Sequence, residues 1–121
     1  MSGYILVVDD DRDIRDSLVE LLTEHGFSAV GAGNGIEALE ILRTSGSPPS
    51  LILLDLMMPV MDGREFREEQ LKNPAWTAIP VIVISAYNDV ADQARALAVD
   101  HLRKPLAMRP LMDAVRRYCA N

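Results

Sequence analysis

Three aspartates in a row, Asp9-Asp10-Asp11, follow the first apolar run of this chain, and Asp55, Ser85 and Lys104 each stand where a later apolar run stops. Brought together, Asp9, Asp10 and Asp55 would crowd carboxylates, and like charges at short range resist joint ionisation. A hard divalent cation removes that conflict. Mg2+ (or Mn2+) takes a couple of carboxylates and keeps several waters. Lys104 adds a compact positive charge and Ser85 a hydroxyl donor. Metal, ammonium and hydroxyl can together neutralise the equatorial oxygens of a phosphoryl group in transfer. Asp55 is then the nucleophile, and the product an acyl phosphate.

The elements that must bring these residues together are legible in the apolar pattern. Tyr4 to Val8, Leu51 to Leu54 and Val81 to Ile84 are continuous aliphatic runs, as expected of strands covered on both faces of a parallel sheet. Phe27 to Ala32 reads as a weaker strand nearer an edge, and Leu102 marks a short last strand before Lys104-Pro105. Between them lie helical stripes: Ile14, Leu18, Leu21 and Leu22, ended by Gly26; Ile36, Leu39 and Leu42; Phe66 and Leu71 in a short charged helix; Val90, Ala94, Leu97 and Ala98; and Met108, Leu111, Met112, Val115 and Cys119. Strands separated by single helices imply a doubly wound α/β sheet with five strands and five helices. The C-terminal ends of parallel strands share one edge, where such folds bind ligands.

Each residue also has a plainer reading. Asp11 directly precedes the first helix and is expected to cap it. Ser85 or Lys104 alone would be unremarkable. Asp55 as a mere solubiliser is poorly placed between Leu54 and Leu56. Trp76, Met57, Met58 and Met61 read as packing, His25 as a helix-end charge, and Arg64 to Glu69 as a solvated helix face.

The bulk properties narrow the function classes. A length of 121 residues suits one domain, spanning 1–121, and a composition 49% hydrophobic and 25% charged is that of a soluble globular protein. A net charge of −6 disfavours direct nucleic-acid binding, which needs a basic patch. The single cysteine, Cys119, allows no internal disulfide and suits a reducing cytoplasm. The N-terminal apolar run is too short for a signal-peptide core or membrane span.

The runs Ile5-Leu6-Val7-Val8-Asp9-Asp10 and Ile52 to Pro59, then Met61-Asp62-Gly63, Ile79 to Ala86 and Leu102 to Leu106, stand in order over essentially the whole chain. Together they resemble the receiver domains of bacterial response regulators, of the chemotaxis-regulator-like kind. The resemblance implies a flavodoxin-like sheet of order 2-1-3-4-5 and a phosphorylation-dependent switch rather than an enzyme with a separate substrate. It implies a phosphoacceptor at Asp55 and metal ligation by Asp10, Asp55 and the Met57 backbone carbonyl, with Asp9 beside the metal. It makes Ser85 the switch hydroxyl, Lys104 the phosphate-contacting amine and the Lys104-Pro105 bond cis. His101 takes the place of the usual aromatic switch residue. Met57 and Tyr87 take the places that control hydrolysis, where neither orients a water well. The implied partners are a histidine kinase or histidine phosphotransfer protein and a downstream protein target, and dimerisation is open to such a domain. His101, Arg103, Arg95 and Arg116 form a candidate basic patch on the responsive face.

Three other readings compete. A haloacid-dehalogenase-type phosphatase also ends a strand in Asp-x-Asp, but it places its nucleophile there and needs a late acidic pair that this chain lacks. A flavodoxin-like cofactor binder would set three aspartates against the flavin phosphate. A phosphate-independent interaction module is disfavoured because the five expected site residues are all present.

Overall fold

The continuous aliphatic runs become the inner strands of a sheet because neither face has a side that water could occupy. The computed structural model describes residues 3–86, 92, 95, 97 and 99–119. Its elements are β1 (Ile5–Val8), α1 (Arg12–Glu24), β2 (Ala29–Ala32), α2 (Gly35–Thr44), β3 (Leu51–Asp55), α3 (Gly63–Lys72), β4 (Val81–Ser85), β5 (Asp100–Arg103) and α4 (Met108–Tyr118). All strand pairs are parallel, and the sheet order is β2-β1-β3-β4-β5, as expected. Four helices lie among the described residues; α4 is the fifth of the sequence reading. Val90, Ala94 and Ala98 of the expected helix before β5 lie outside the described residues, as does Tyr87.

Alternation along the strands splits the core in two. Leu6, Val8, Ile52, Leu54 and Val83 pack with Ala38, Leu39 and Leu42 of α2 and Phe66 of α3. Ile5, Val7, Leu51, Leu53, Ile82 and Ile84 pack with Leu18 and Leu22 of α1 and Leu111, Met112 and Val115 of α4. Trp76 packs against the first of these cores, as read from sequence.

Among the described residues, three apolar residues assigned to helix stripes are exposed: Ile36, Leu71 and Met108. In α3 the buried face turns one residue, so that Gln70 is fully buried in place of Leu71. Gln70 is tolerated there because its amide is satisfied. Nε2 donates to the carbonyls of Trp76 (2.9 Å) and Ile79 (3.1 Å), and Oε1 accepts from Arg67 Nη1 (2.9 Å). One side chain thereby fastens α3 to the chain entering β4. Arg67 is also half-buried, so the charge run is not wholly a solvated face.

Helix starts follow local chemistry. Asp11 caps α1, accepting from the amides of Asp13 and Ile14. Asn34 caps α2, and Asp62 with Glu65 forms a capping box on α3. At the end of α1, His25 is the C-cap and its Nδ1 lies 2.9 Å from the Leu21 carbonyl. At the far edge of the sheet, Tyr118 of α4 donates to Asp100 of β5, and Arg117 pairs with the same carboxylate at 3.5 Å.

Candidate functional site

Register brings the polar strand ends to one place. Val8 lies beside Leu54, Asp55 beside Ile84, and Ser85 beside Arg103. The residue after Val8 is Asp9, and the residue after Arg103 is Lys104, so four strand ends meet at one edge. The Lys104 amide donates to the Ser85 carbonyl at 3.0 Å, extending the β4–β5 ladder into the site. The Lys104-Pro105 peptide is cis.

Asp9, Asp55 and Ser85 are almost fully buried, while Asp10 is exposed. Carboxylate oxygens of Asp9, Asp10 and Asp55 lie within 4.8 Å of one another. The Lys104 ammonium bridges two of them, 3.0 Å from Asp9 Oδ2 and 3.4 Å from Asp55 Oδ2. The contact to Asp9 is one of charge rather than an aligned hydrogen bond, because Asp9 Oδ2 is buried without a hydrogen-bond partner. Asp55 Oδ1 accepts the Met57 amide at 3.2 Å, and Asp9 Oδ1 accepts the Asp11 amide at 2.9 Å. These residues, with Ala86, line a cavity of about 410 Å³.

The electrostatics reflect that crowding. Burial, and then the Asp9 charge, push the Asp55 carboxyl up to about 6, against the opposing pull of Lys104 and the Met57 amide. For Lys104, burial works to lower the ammonium's pKa, but Asp9 and Asp55 outweigh it and the group is held above its ordinary range. One ammonium is thus set against two of the three clustered carboxylates. The cluster, with a buried oxygen lacking a hydrogen-bond donor, fits a divalent cation bound by oxygen ligands.

Not every candidate joins this group. Met57, expected to be packed, is exposed at the lip of the cavity, while Met58 is buried and Met61 half-buried. His101 is exposed on β5 and lines a separate surface groove with Pro110 and Arg117. Of the candidate basic patch, Arg103 and Arg116 are exposed and Arg95 pairs with Asp92 at 3.0 Å.

Arg15 was not among the sequence candidates, yet its Nη1 donates to the Asp9 carbonyl at 3.0 Å. The only hint lay in two glycines of the following strand region, Gly31 and Gly33, which leave room for a long side chain. Beside the acidic cavity, and sharing Ala86 and Lys104 with it, runs an apolar groove of about 700 Å³ between α1 and the start of α4.

The comparisons agree with this geometry. A family model for the response regulator receiver domain matches residues 5–116. Response regulator MprA of Mycobacterium bovis is 38% identical over 119 residues, which cover 96% of this chain and 50% of that protein. The chain therefore spans about half the length of the curated relatives it matches. A response regulator receiver protein from Pseudomonas putida superposes with a TM-score of 0.88 at 29% identity, covering 97% of this chain and 98% of its own. TrrA from Thermotoga maritima, solved in complex with Mg2+-BeF, gives 0.82 at 31% identity, covering 98% and 99%. With the aspartate cluster at the strand ends and the family's strand order around it, this chain belongs to the response regulator receiver domain family.

Proposed function

We propose that residues 1–121 form one receiver domain that accepts a phosphoryl group on Asp55 and converts it into a change of partner-binding surface. The observation that carries this reading is the arrangement of three carboxylates within 4.8 Å with a single ammonium set against two of them. A site so rich in negative charge has no use for an anionic substrate until a cation joins it. Asp9, Asp10 and Asp55, with the Met57 carbonyl, would hold Mg2+, which when bound supplies the positive charge that lets an anionic phosphoryl group approach. Mn2+ would suit the same oxygen set.

The chain's own groups perform the rest. The Met57 amide holds Asp55 Oδ1, fixing the carboxylate's orientation. One Asp55 oxygen attacks phosphorus, the donor's nitrogen–phosphorus bond breaks, and Lys104 and Ser85 take up charge on the transferred oxygens. Ser85 is then drawn toward the phosphoryl group, and His101 is free to turn inward from its exposed position on β5. The domain in this reading catalyses only its own phosphorylation and dephosphorylation. Neither Met57 nor Tyr87 orients a hydrolytic water, so the adduct is long-lived.

The donor is a histidine kinase or phosphotransfer protein, for which the apolar groove beside Lys104 offers a docking surface next to the reactive carboxylate. The face that meets a downstream protein or a second copy includes β5 and α4. Cytoplasmic location follows from the kinase partner and the unpaired Cys119; among the described residues, no helix is long and apolar enough to cross a membrane.

Intact mass after incubation with a small phosphodonor and Mg2+ tests the assignment. Wild type gains one phosphoryl group, and Asp55→Asn or chelation abolishes the gain. Met57→Asn shortens the adduct's lifetime several-fold, because its amide can hold the attacking water. Labelling of Asp55→Asn at the wild-type rate would sink the site assignment; an unchanged lifetime in Met57→Asn would sink only the account of hydrolysis.

A further inference from the structure

A strand that ends at an acidic loop runs out of ladder partners just where its geometry matters most. The Asp9 amide closes the β1–β2 ladder by donating to the Ala32 carbonyl at 3.0 Å. The Asp9 carbonyl is bonded instead by the Arg15 guanidinium, at 3.0 Å. Asp9 is almost fully buried, and a buried carbonyl left without a donor is costly. Oδ1 accepts the Asp11 amide, so Oδ2, with only the Lys104 charge against it, is the one Asp9 polar atom without a hydrogen bond.

That carbonyl belongs to the peptide joining Asp9 to Asp10. The peptide is planar, so fixing its oxygen also fixes the Asp10 nitrogen and the point from which the Asp10 carboxylate departs. Asp10 is itself exposed, so its place in the cluster depends on its backbone rather than on surrounding side chains.

The path of Arg15 is built by its neighbours. A Cβ on Gly31 would meet Arg15 Cγ and Cδ at 3.0 Å, and one on Gly33 would meet Nη1 at 3.3 Å. We infer that Arg15, laid across Gly31 and Gly33, is a positioning residue that sets the Asp9–Asp10 peptide and thereby the divalent-cation affinity of the Asp9, Asp10 and Asp55 cluster. This rests on the reading that the cluster takes a divalent cation.

The opposite sign is expected if Arg15 is only a nearby charge. A guanidinium beside a cation site repels the cation, so its removal would then tighten binding. Positioning requires removal to weaken binding. Gly31→Val separates the two further, since it displaces the arginine stem while keeping every charge, and valine suits an exposed strand position.

The experiment titrates Mg2+ into the full chain and follows backbone amide NMR shifts, which report the fold and the dissociation constant together. Arg15→Ala and Gly31→Val are expected to keep dispersed, wild-type-like spectra and to bind Mg2+ about tenfold more weakly, with Arg15→Lys intermediate because it restores one donor but not the fork. If Arg15→Ala does not fold, Gly31→Val decides alone. Unchanged affinity in Gly31→Val, or tighter binding in Arg15→Ala, overturns the inference and leaves the cation site standing. A wild-type chain that binds no Mg2+ overturns both.

Discussion

Asp55 carries the conflict on which the site depends. Its carboxyl is raised from 3.8 to about 6, chiefly by burial and then by Asp9. The folded, metal-free protein therefore holds this proton more tightly than the unfolded chain. The stabilisation from this group is fully present below about 3.8, declines as pH rises through the interval to about 6, and is absent above it. Across that interval the metal-free fold loses roughly 1–3 kcal/mol from Asp55. Asp55→Asn removes the charge without changing the shape. Urea unfolding in chelator should find the variant more stable than wild type at pH 7, with the gap closing near pH 4. A variant less stable than wild type at pH 7 would show that Lys104 already compensates the cluster in full. The same unfavourable charge gives the site its appetite for a cation.

The connection from β3 to α3 puts unusual demands on backbone close to Asp55. A Cβ on Gly63 would lie 2.5 Å from the Asp55 carbonyl oxygen and 2.9 Å from Leu56 Cα, backbone atoms with nowhere to move. Val60, three residues earlier, has φ 71° and is 79% exposed, a left-handed conformation that a β-branched residue adopts only under strain. The two positions should answer substitution with opposite signs. Gly63→Ala is expected to cost about 2 kcal/mol or more, and Val60→Asn to gain about 1 kcal/mol. Gly46→Ala, with nothing within 4 Å of the new methyl, serves as the neutral control. Chemical denaturation of the three variants measures all of this. Equal stability of Gly63→Ala and Gly46→Ala would mean that the β3–α3 turn yields more easily than its contacts suggest.

At the scale of the molecule, the sheet links the acidic edge to a distant face. Ser85 ends β4 and pairs in register with Arg103, and Val83 pairs with His101, so a displacement at Ser85 reaches β5 through the ladder. β5 is tied in turn to α4 by Tyr118 and Arg117 on Asp100. A phosphate mimic bound with Mg2+ should therefore change amide exchange around His101 and Arg103 and at the C-terminal end of α4. Helices α1 and α2 should stay protected, since they lie against β1 and β2, toward the other edge of the sheet from that path. Changes confined to α1 and α2 would place the responsive face elsewhere and remove His101, Arg103 and Arg116 from consideration as a partner surface.

Strand positions and the polar residues at strand ends were legible in the sequence because they follow from local properties; of the five helices expected, four lie among the described residues. An aliphatic run covered on both faces must be an inner strand, and in a parallel sheet its last residue must reach the common edge. Asp9, Asp55 and Ser85 needed no more than that to be gathered, whereas Lys104 follows a short, largely exposed edge strand marked in the sequence by Leu102. Helix faces were read less well, because period alone does not say which side a neighbour will cover. Gln70 rather than Leu71 is buried in α3 since three hydrogen-bond partners from Arg67, Trp76 and Ile79 converge on it. Arg67 is an i,i+3 neighbour on the same helix, but the Trp76 and Ile79 carbonyls come from the chain beyond it, and no spacing rule announces them. Arg15 is the same case at the site. Its bond to the Asp9 carbonyl exists because β2 passes alongside with Gly31 and Gly33 at the crossing. Which residues meet at the acidic edge was set by their order along the chain; which side chain bonds the Asp9 carbonyl was decided only when the sheet brought β2 against β1.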